Sequence, residues 1–221
     1  MLEILQWMAF IIGGYLLGGV MFCRLLPQLI LRKVVTKLFP DRNPRAANVF
    51  SSCGAVMGMT CLLLDMAKGF LPVFLGTIFL DPTNMLFAAV IVAPVLGHAT
   101  GVFNHFRGGK CIATSFGVVI GLLPVTWVGW ILAAVYIIFS VFVKINPHRR
   151  RSIFAFAIFG ILSCIILIFT RQYSVAIGCL LLSAVAVVKH SKRFSPDETP
   201  AADKTALQDD DESLHADGKG R

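Results

Sequence analysis

Residues 97–114 read GHATGVFNHFRGGKCIAT and set a Gly-Gly-Lys turn, with Arg107 as a second base, between two strongly apolar segments. A phosphate group at a membrane surface would find its binding partners in such a stretch. Adjacent glycines reach backbone conformations closed to other residues, so the N–H groups of Gly108 and Gly109 can turn inward as an anion nest while Lys110 supplies a point charge. If Cys111 opens the following helix, the first N–H groups of that helix add to the same field. The letters also fit a plain turn whose two bases mark the cytoplasmic side of a membrane.

The surroundings of the turn make the bilayer the solvent. Hydrophobic residues form 57% of the 221-residue chain and charged residues 14%, and the mean hydropathy is +0.78, outside the range of ordinary soluble domains. Apolar runs cover 4–22, 54–80, 85–103, 111–124, 125–143, 153–170 and 174–188, several near the roughly 20 residues that cross hydrocarbon. The stretch 111–143 is too long for one helix and contains Pro124, so it divides there. The reading is an all-α polytopic membrane protein of about seven transmembrane helices, the fourth and seventh being short.

Charge orients the bundle. Arg24, Arg32, Lys33, Lys37, Arg42 and Arg45 fall in the first connection, Arg107 and Lys110 in another, Lys144 and Arg149 to Arg151 in a third, and Lys189, Lys192 and Arg193 open the tail. The alternate connections, at 81–84, 124–126 and 171–172, carry a single base, Arg171. By the positive-inside rule the N-terminus lies outside and the C-terminus in the cytoplasm. The formal charge of +8 thus reflects topology and attraction to anionic lipid, and nucleic acid is not an expected partner.

Glu3 stands where a cleavable signal would carry bases, so the first helix is expected to persist. The six cysteines form no C-x-x-C pair and the histidines have no metal-ligand spacing; no disulfide, metal or cofactor is expected. Residues 1–193 read as one membrane-embedded domain. Residues 194–221 hold eight of the twelve acids, Asp209 to Glu212 among them, and read as an acidic, disordered cytoplasmic tail.

Two polar sites stand out against this background. Asp65 and Lys68 lie three residues apart in the second apolar run, on one helix face, and can pair. Charges within a span mark either a functional cavity or a structural ion pair, and the spacing fits both. The segment PDRNPRAANVFSSCG, residues 40–54, offers Asn43 and Asn48 as donors to hydroxyl or phosphate oxygens, with Arg42 and Arg45 adding charge. A generic Pro/Asn turn explains these letters equally.

Taken together, residues 10–193 resemble the acyl-phosphate-dependent glycerol-3-phosphate acyltransferases, the PlsY family of bacterial inner-membrane enzymes. The family pattern G-H-x-x-P-V-F-x-x-F-K-G-G-K-G-V-A-T aligns without a gap, with Gly97, His98, Val102, Phe103, Phe106, Gly108, Gly109, Lys110, Ala113 and Thr114 identical. Arg107 and Ile112 are conservative changes, whereas Gly101 and Cys111 replace a proline and a glycine. A D-x-x-K-G pattern recurs as Asp65, Lys68 and Gly69, and a G-Y-L-L-G start as Gly14 to Gly18. Two motifs depart from the pattern. The family's S-G-N-x-G-A-T-N falls on Asp41 to Asn48, keeping Asn43, Ala46 and Asn48; its serine becomes Asp41, and a downstream arginine becomes Ser51. A carboxylate at a phosphate site repels the ligand, so Asp41 is better suited to a substrate hydroxyl or a cation. The third motif survives as His190 and the bases from Lys189 to Arg193, with Arg193 at an asparagine position and Ala202 at a glutamate position, Glu198 lying nearby.

The resemblance implies transfer of an acyl chain from acyl phosphate to the 1-hydroxyl of glycerol 3-phosphate, giving lysophosphatidic acid at the cytoplasmic face of a bacterial membrane. An acyl phosphate is already an activated carbonyl, so orientation and charge stabilisation can suffice without an enzyme nucleophile. His98, Lys110 and His190 are the implied catalytic residues. Asp41, Asn43, Arg45, Asn48, Asp65, Lys68, Arg107, Gly108, Gly109 and Thr114 are the implied substrate-binding residues. The alternative is a non-enzymatic organic-anion or lipid-phosphate transporter or binding protein, or an inactive paralogue.

Overall fold

The computed structural model describes residues 2–32, 46–143 and 148–191. Among them the regular structure is helical throughout: α1 (Leu2–Gly19), α2 (Phe22–Ile30), α3 (Ala46–Cys53), α4 (Ala55–Phe79), α5 (Phe87–Thr100), a 3₁₀ turn (Val102–Asn104), α6 (Ile112–Gly121), α7 (Gly129–Val141), α8 (His148–Phe169) and α9 (Tyr173–Ser191). Five helices are long and apolar enough to cross a membrane: α1, α4, α5 with its 3₁₀ extension, α8 and α9. The apolar helices α6 and α7 are shorter, at 10 and 13 residues.

Each of the seven apolar runs therefore becomes a helix, but the short pair is the fourth and fifth. The seventh continues as helix through Lys189 and His190 to Ser191, because the apolar periodicity ends before the helix does. Pro124 lies in the turn between α6 and α7, where Leu122 donates to the Val118 carbonyl and Val125 to the Leu122 carbonyl. Without an N–H, and with its ring against the preceding turn, proline stops α6 from continuing.

Two helices were not foreseen in the first connection. In α2, Cys23 and Pro27 turn inward while Leu29 and Ile30 are exposed. Cys23 packs with Val49 of α3 and Cys61 of α4 in a small apolar cluster of its own. The segments 33–45 and 192–221, with Asp41, Asn43, Arg45, Arg193, Glu198 and the whole acidic tail, lie outside the described residues.

The apolar surface faces outward as well as inward. Leu5, Leu63, Ile78, Ile137 and Ile165 are exposed, while Phe87, Ile91, Leu122, Leu132, Phe156, Phe159 and Leu182 fill the interior. Such a surface suits lipid, where helix association rests on close packing in place of a hydrophobic driving force. Small residues provide it. A Cβ on Gly97 would overlap the Tyr15 carbonyl, and one on Gly117 the Met66 carbonyl, so α5 meets α1 and α6 meets α4 backbone to backbone.

Hydrogen bonds mark the two ends of the bundle. At one, Gln6 Nε2 donates to the Phe79 carbonyl at 3.0 Å, Ser174 Oγ donates to the Pro82 carbonyl, and Gln172 Nε2 donates to the Val125 carbonyl at 3.4 Å. Trp127 and Trp130 stand exposed there, as aromatic residues do at a membrane interface. The other end carries the turn at 101–111, with His98, Lys110 and His190.

Candidate active site

α5 ends where Gly101 takes a left-handed conformation (φ 63°) and donates to the Gly97 carbonyl, a helix stop that glycine adopts without a Cβ penalty. The chain then folds back over its own helix. Asn104, buried, donates from Nδ2 to the Arg107 carbonyl at 2.7 Å, while Arg107 N–H returns a bond to the Asn104 carbonyl. His105 and Phe106 also take positive φ, and the turn brings Gly108 and Gly109 down onto the last turn of α5.

The glycine pair works differently from the expected nest. Neither Gly108 nor Gly109 has positive φ, and the Gly109 N–H donates to the His98 carbonyl at 3.0 Å. That donor is therefore engaged by backbone. What glycine supplies is closeness: a Cβ at Gly108 would overlap the Ala99 carbonyl, and one at Gly109 would overlap Nε2 of His98. Cys111 then opens α6 as its N-cap at φ 64°, at the position where the family pattern carries glycine. Its thiol is buried and donates weakly toward the Val95 and Gly109 carbonyls. At 1% exposure the thiol is poorly placed to act as a nucleophile.

This turn closes one side of a cavity of about 540 Å³. His98 of α5, Lys110 and Cys111 of the turn, Asp65 of α4 and His190 of α9 reach it, joined by Tyr136 of α7 and by Arg151 and Ser152 of α8. Leu62, Met66, Ile112 and Phe116 form an apolar wall, and Ala46 and Ala47 bring α3 to the rim. The three residues proposed as catalytic from sequence thus come from separate stretches to one chamber.

His190 is almost wholly buried, and its Nδ1 lies 2.8 Å from the Ala186 carbonyl. A carbonyl only accepts, so Nδ1 carries the proton, and in the neutral ring Nε2 is the acceptor nitrogen. The Phe156 ring packs beside the imidazole, centroids 6.3 Å apart.

Asp65 and Lys68 separate in role. Lys68 Nζ lies 2.8 Å from Asp65 Oδ1, donates to the Val20 carbonyl at 2.5 Å and sits 5.8 Å from the centre of the Phe22 ring. Cys23 Sγ donates to Asp65 Oδ2 at 3.2 Å. The lysine thus ties α4 to the junction of α1 and α2 and does not line the cavity, whereas Asp65 does. Arg107 is exposed, and Thr114 is fully buried where α6 crosses Gly69 of α4; neither lines the chamber. Asn48 is part-buried in α3, beside the rim, with its carbonyl accepting from Ser52 Oγ at 2.7 Å. Among the described residues no group of three His, Cys, Asp or Glu side chains is placed to hold a metal ion.

Arg151, Ser152 and Tyr136 were missed from sequence. Arg151 reads as one of three consecutive bases at a helix start, indistinguishable by letter from a topological marker, and only helix phase turns it inward.

Comparison with known proteins bears on this chamber. Residues 8–195 match the family model described as glycerol-3-phosphate acyltransferase. The glycerol-3-phosphate acyltransferase of Thermotoga petrophila is 30% identical over 189 residues, covering 85% of this chain and 91% of that one. That of Hydrogenobaculum sp. is 37% identical over 123 residues, which span 53% of this chain and 62% of the relative. Among solved structures, the crystal structure of PlsY, an integral membrane glycerol 3-phosphate acyltransferase in its glycerol 3-phosphate form, superposes with a TM-score of 0.70 at 25% identity, covering 84% of this chain and 88% of that one.

Proposed function

Since the chain belongs to the glycerol-3-phosphate acyltransferase family, a family of membrane enzymes, we propose that it moves a fatty acyl group from acyl phosphate to the 1-hydroxyl of glycerol 3-phosphate, releasing lysophosphatidic acid and inorganic phosphate. The observation that carries this reading is the convergence of Lys110, His98 and His190 on a chamber with an apolar wall. One polar and one apolar substrate have to meet, and the chamber offers a surface for each.

Lys110 holds phosphate as a point charge. The glycerol hydroxyl oxygen attacks the acyl carbonyl carbon, the bond to the phosphate oxygen breaks with its electron pair leaving on phosphate, and the hydroxyl proton passes to Nε2 of His190. His98 fixes the Gly109–Lys110 segment through its carbonyl and ring, acting as a positioning residue. Leu62, Met66 and Phe116 take the first methylenes of the acyl chain. The distribution of bases between alternate connections supports an N-terminus outside and a chamber facing the cytoplasm of a bacterial cell, where a soluble phosphate ester has access. A chamber at one end of the bundle suits an enzyme better than a transporter, whose site belongs near mid-membrane.

The test is product formation by purified protein given labelled glycerol 3-phosphate with acyl phosphate, and separately with acyl-CoA. Lysophosphatidic acid from acyl phosphate alone supports the reading. Accumulation of unmodified glycerol 3-phosphate inside protein-containing vesicles, with no product from either donor, replaces it with transport.

A further inference from the structure

The reaction proposed above brings two phosphate groups into one chamber of about 540 Å³, and this inference rests on that reading. Among the described residues lining the chamber, the side chains that carry a permanent positive charge are Lys110 and Arg151. A single ammonium is a poor match for two phosphates, since like charges held close together repel. Arg151 sits in the first turn of α8, part-buried, beside Ser152 and across from Tyr136 of α7. Its neighbour Arg150 is exposed and does not line the chamber, so helix phase sends one of two adjacent guanidinium groups into it. A guanidinium offers a planar fork of donors that fits phosphate oxygens two at a time, which an ammonium cannot.

On the α3 side, the described residues that line the chamber, Ala46 and Ala47, are uncharged. The family's first motif is followed by an arginine at the position of Ser51. Here Ser51 Oγ donates to the Ala47 carbonyl at 3.1 Å, one turn back on α3, and Ala47 is on the chamber rim. Ser51 is thus a neutral, exposed residue one turn beyond Ala47 on α3.

We infer that Arg151 is a phosphate-binding residue of this chamber, gripping a phosphate monoester or an acyl phosphate headgroup from the first turn of α8. The two possible sources share one chemistry and differ in which substrate is felt when the residue changes.

The experiment measures KM for glycerol 3-phosphate and for acyl phosphate separately, and alongside it calorimetric binding of glycerol 3-phosphate and of a non-hydrolysable acyl phosphonate. Arg151→Gln is expected to raise one KM and weaken the corresponding binding by about ten- to hundredfold, the scale of a lost charge-assisted hydrogen bond. Arg151→Lys should recover part of that loss, and Arg150→Gln should stay within about twofold of wild type. A change confined to glycerol 3-phosphate assigns the acceptor's phosphate, and one confined to the acyl compounds assigns the donor's. If Arg151→Gln fails to fold, Arg151→Lys takes its place, with several-fold weakening expected from loss of the fork alone. Wild-type affinity for both ligands in a folded Arg151→Gln or Arg151→Lys protein overturns the inference. Binding by the wild type without any product overturns the proposed reaction instead, and leaves Arg151 to be judged on the binding arm.

Discussion

The ring of His98 occupies the space that a side chain on Gly109 would need, while the Gly109 N–H donates to the His98 carbonyl. One helical residue thus fixes the turn that aims Lys110, from its ring and from its backbone. Gly109→Ala should displace either the imidazole or the turn, at the cost typical of overpacking, about 1–3 kcal/mol. The expected result is a loss of roughly tenfold or more in kcat/KM with at most a modest fall in Tm. Full activity in Gly109→Ala protein would show that the contact is dispensable.

The buried pair of Asp65 and Lys68 makes a different prediction, about stability. Lys68→Met leaves a carboxylate buried without its partner and should cost about 3–5 kcal/mol, whereas the double change Asp65→Leu with Lys68→Met removes both charges and should recover most of it. Thermal unfolding in detergent or nanodiscs measures both. A double variant no more stable than Lys68→Met would contradict the pairing.

Cys111 lines the chamber but is only 1% exposed. Thiol labelling needs access to the sulfur, which the folded protein does not give here. A water-soluble maleimide at pH 8 should therefore leave Cys111 unmodified in the native protein and react after unfolding. Mapping by mass spectrometry distinguishes the two, and rapid native labelling would contradict the burial.

Orientation can be read by labelling single introduced cysteines in intact cells. Trp127 stands exposed at the end opposite the chamber, and Arg107 is exposed beside the chamber. A cysteine at 127 should label from outside, and one at 107 only after the membrane is opened. The reverse pattern would place the chamber outside the cell.

Most of the bundle was legible because lipid demands a crude signal. Long apolar runs became α1, α4, α5, α8 and α9, and Pro124 correctly divided α6 from α7. The end of α9 was harder, since Lys189, His190 and Ser191 remain helical after the apolar pattern stops. Helix α2 escaped because a short amphipathic segment with an internal proline, Pro27, reads as a loop, and α3 because eight residues following Pro40, Asn43 and Pro44 read as part of a Pro/Asn turn. In the site, the Gly-Gly-Lys letters located the turn but suggested the wrong use of glycine. Whether a glycine serves backbone conformation or close approach depends on what lies opposite, here the His98 ring and the Ala99 carbonyl, and no local pattern encodes that. The same holds for Arg150 and Arg151, identical letters with opposite environments.

The central claim is that the chamber around Lys110 is where acyl transfer occurs, and one comparison tests it most directly. Rates of lysophosphatidic acid formation from acyl phosphate and glycerol 3-phosphate are measured for wild type, Lys110→Ala and the exposed-base control Arg150→Ala, at matched folding. Removing the chamber ammonium should lower kcat/KM by about ten- to hundredfold, as loss of a charge-assisted hydrogen bond to phosphate requires, while the control stays within about twofold. Equal effects of the two substitutions would contradict the account.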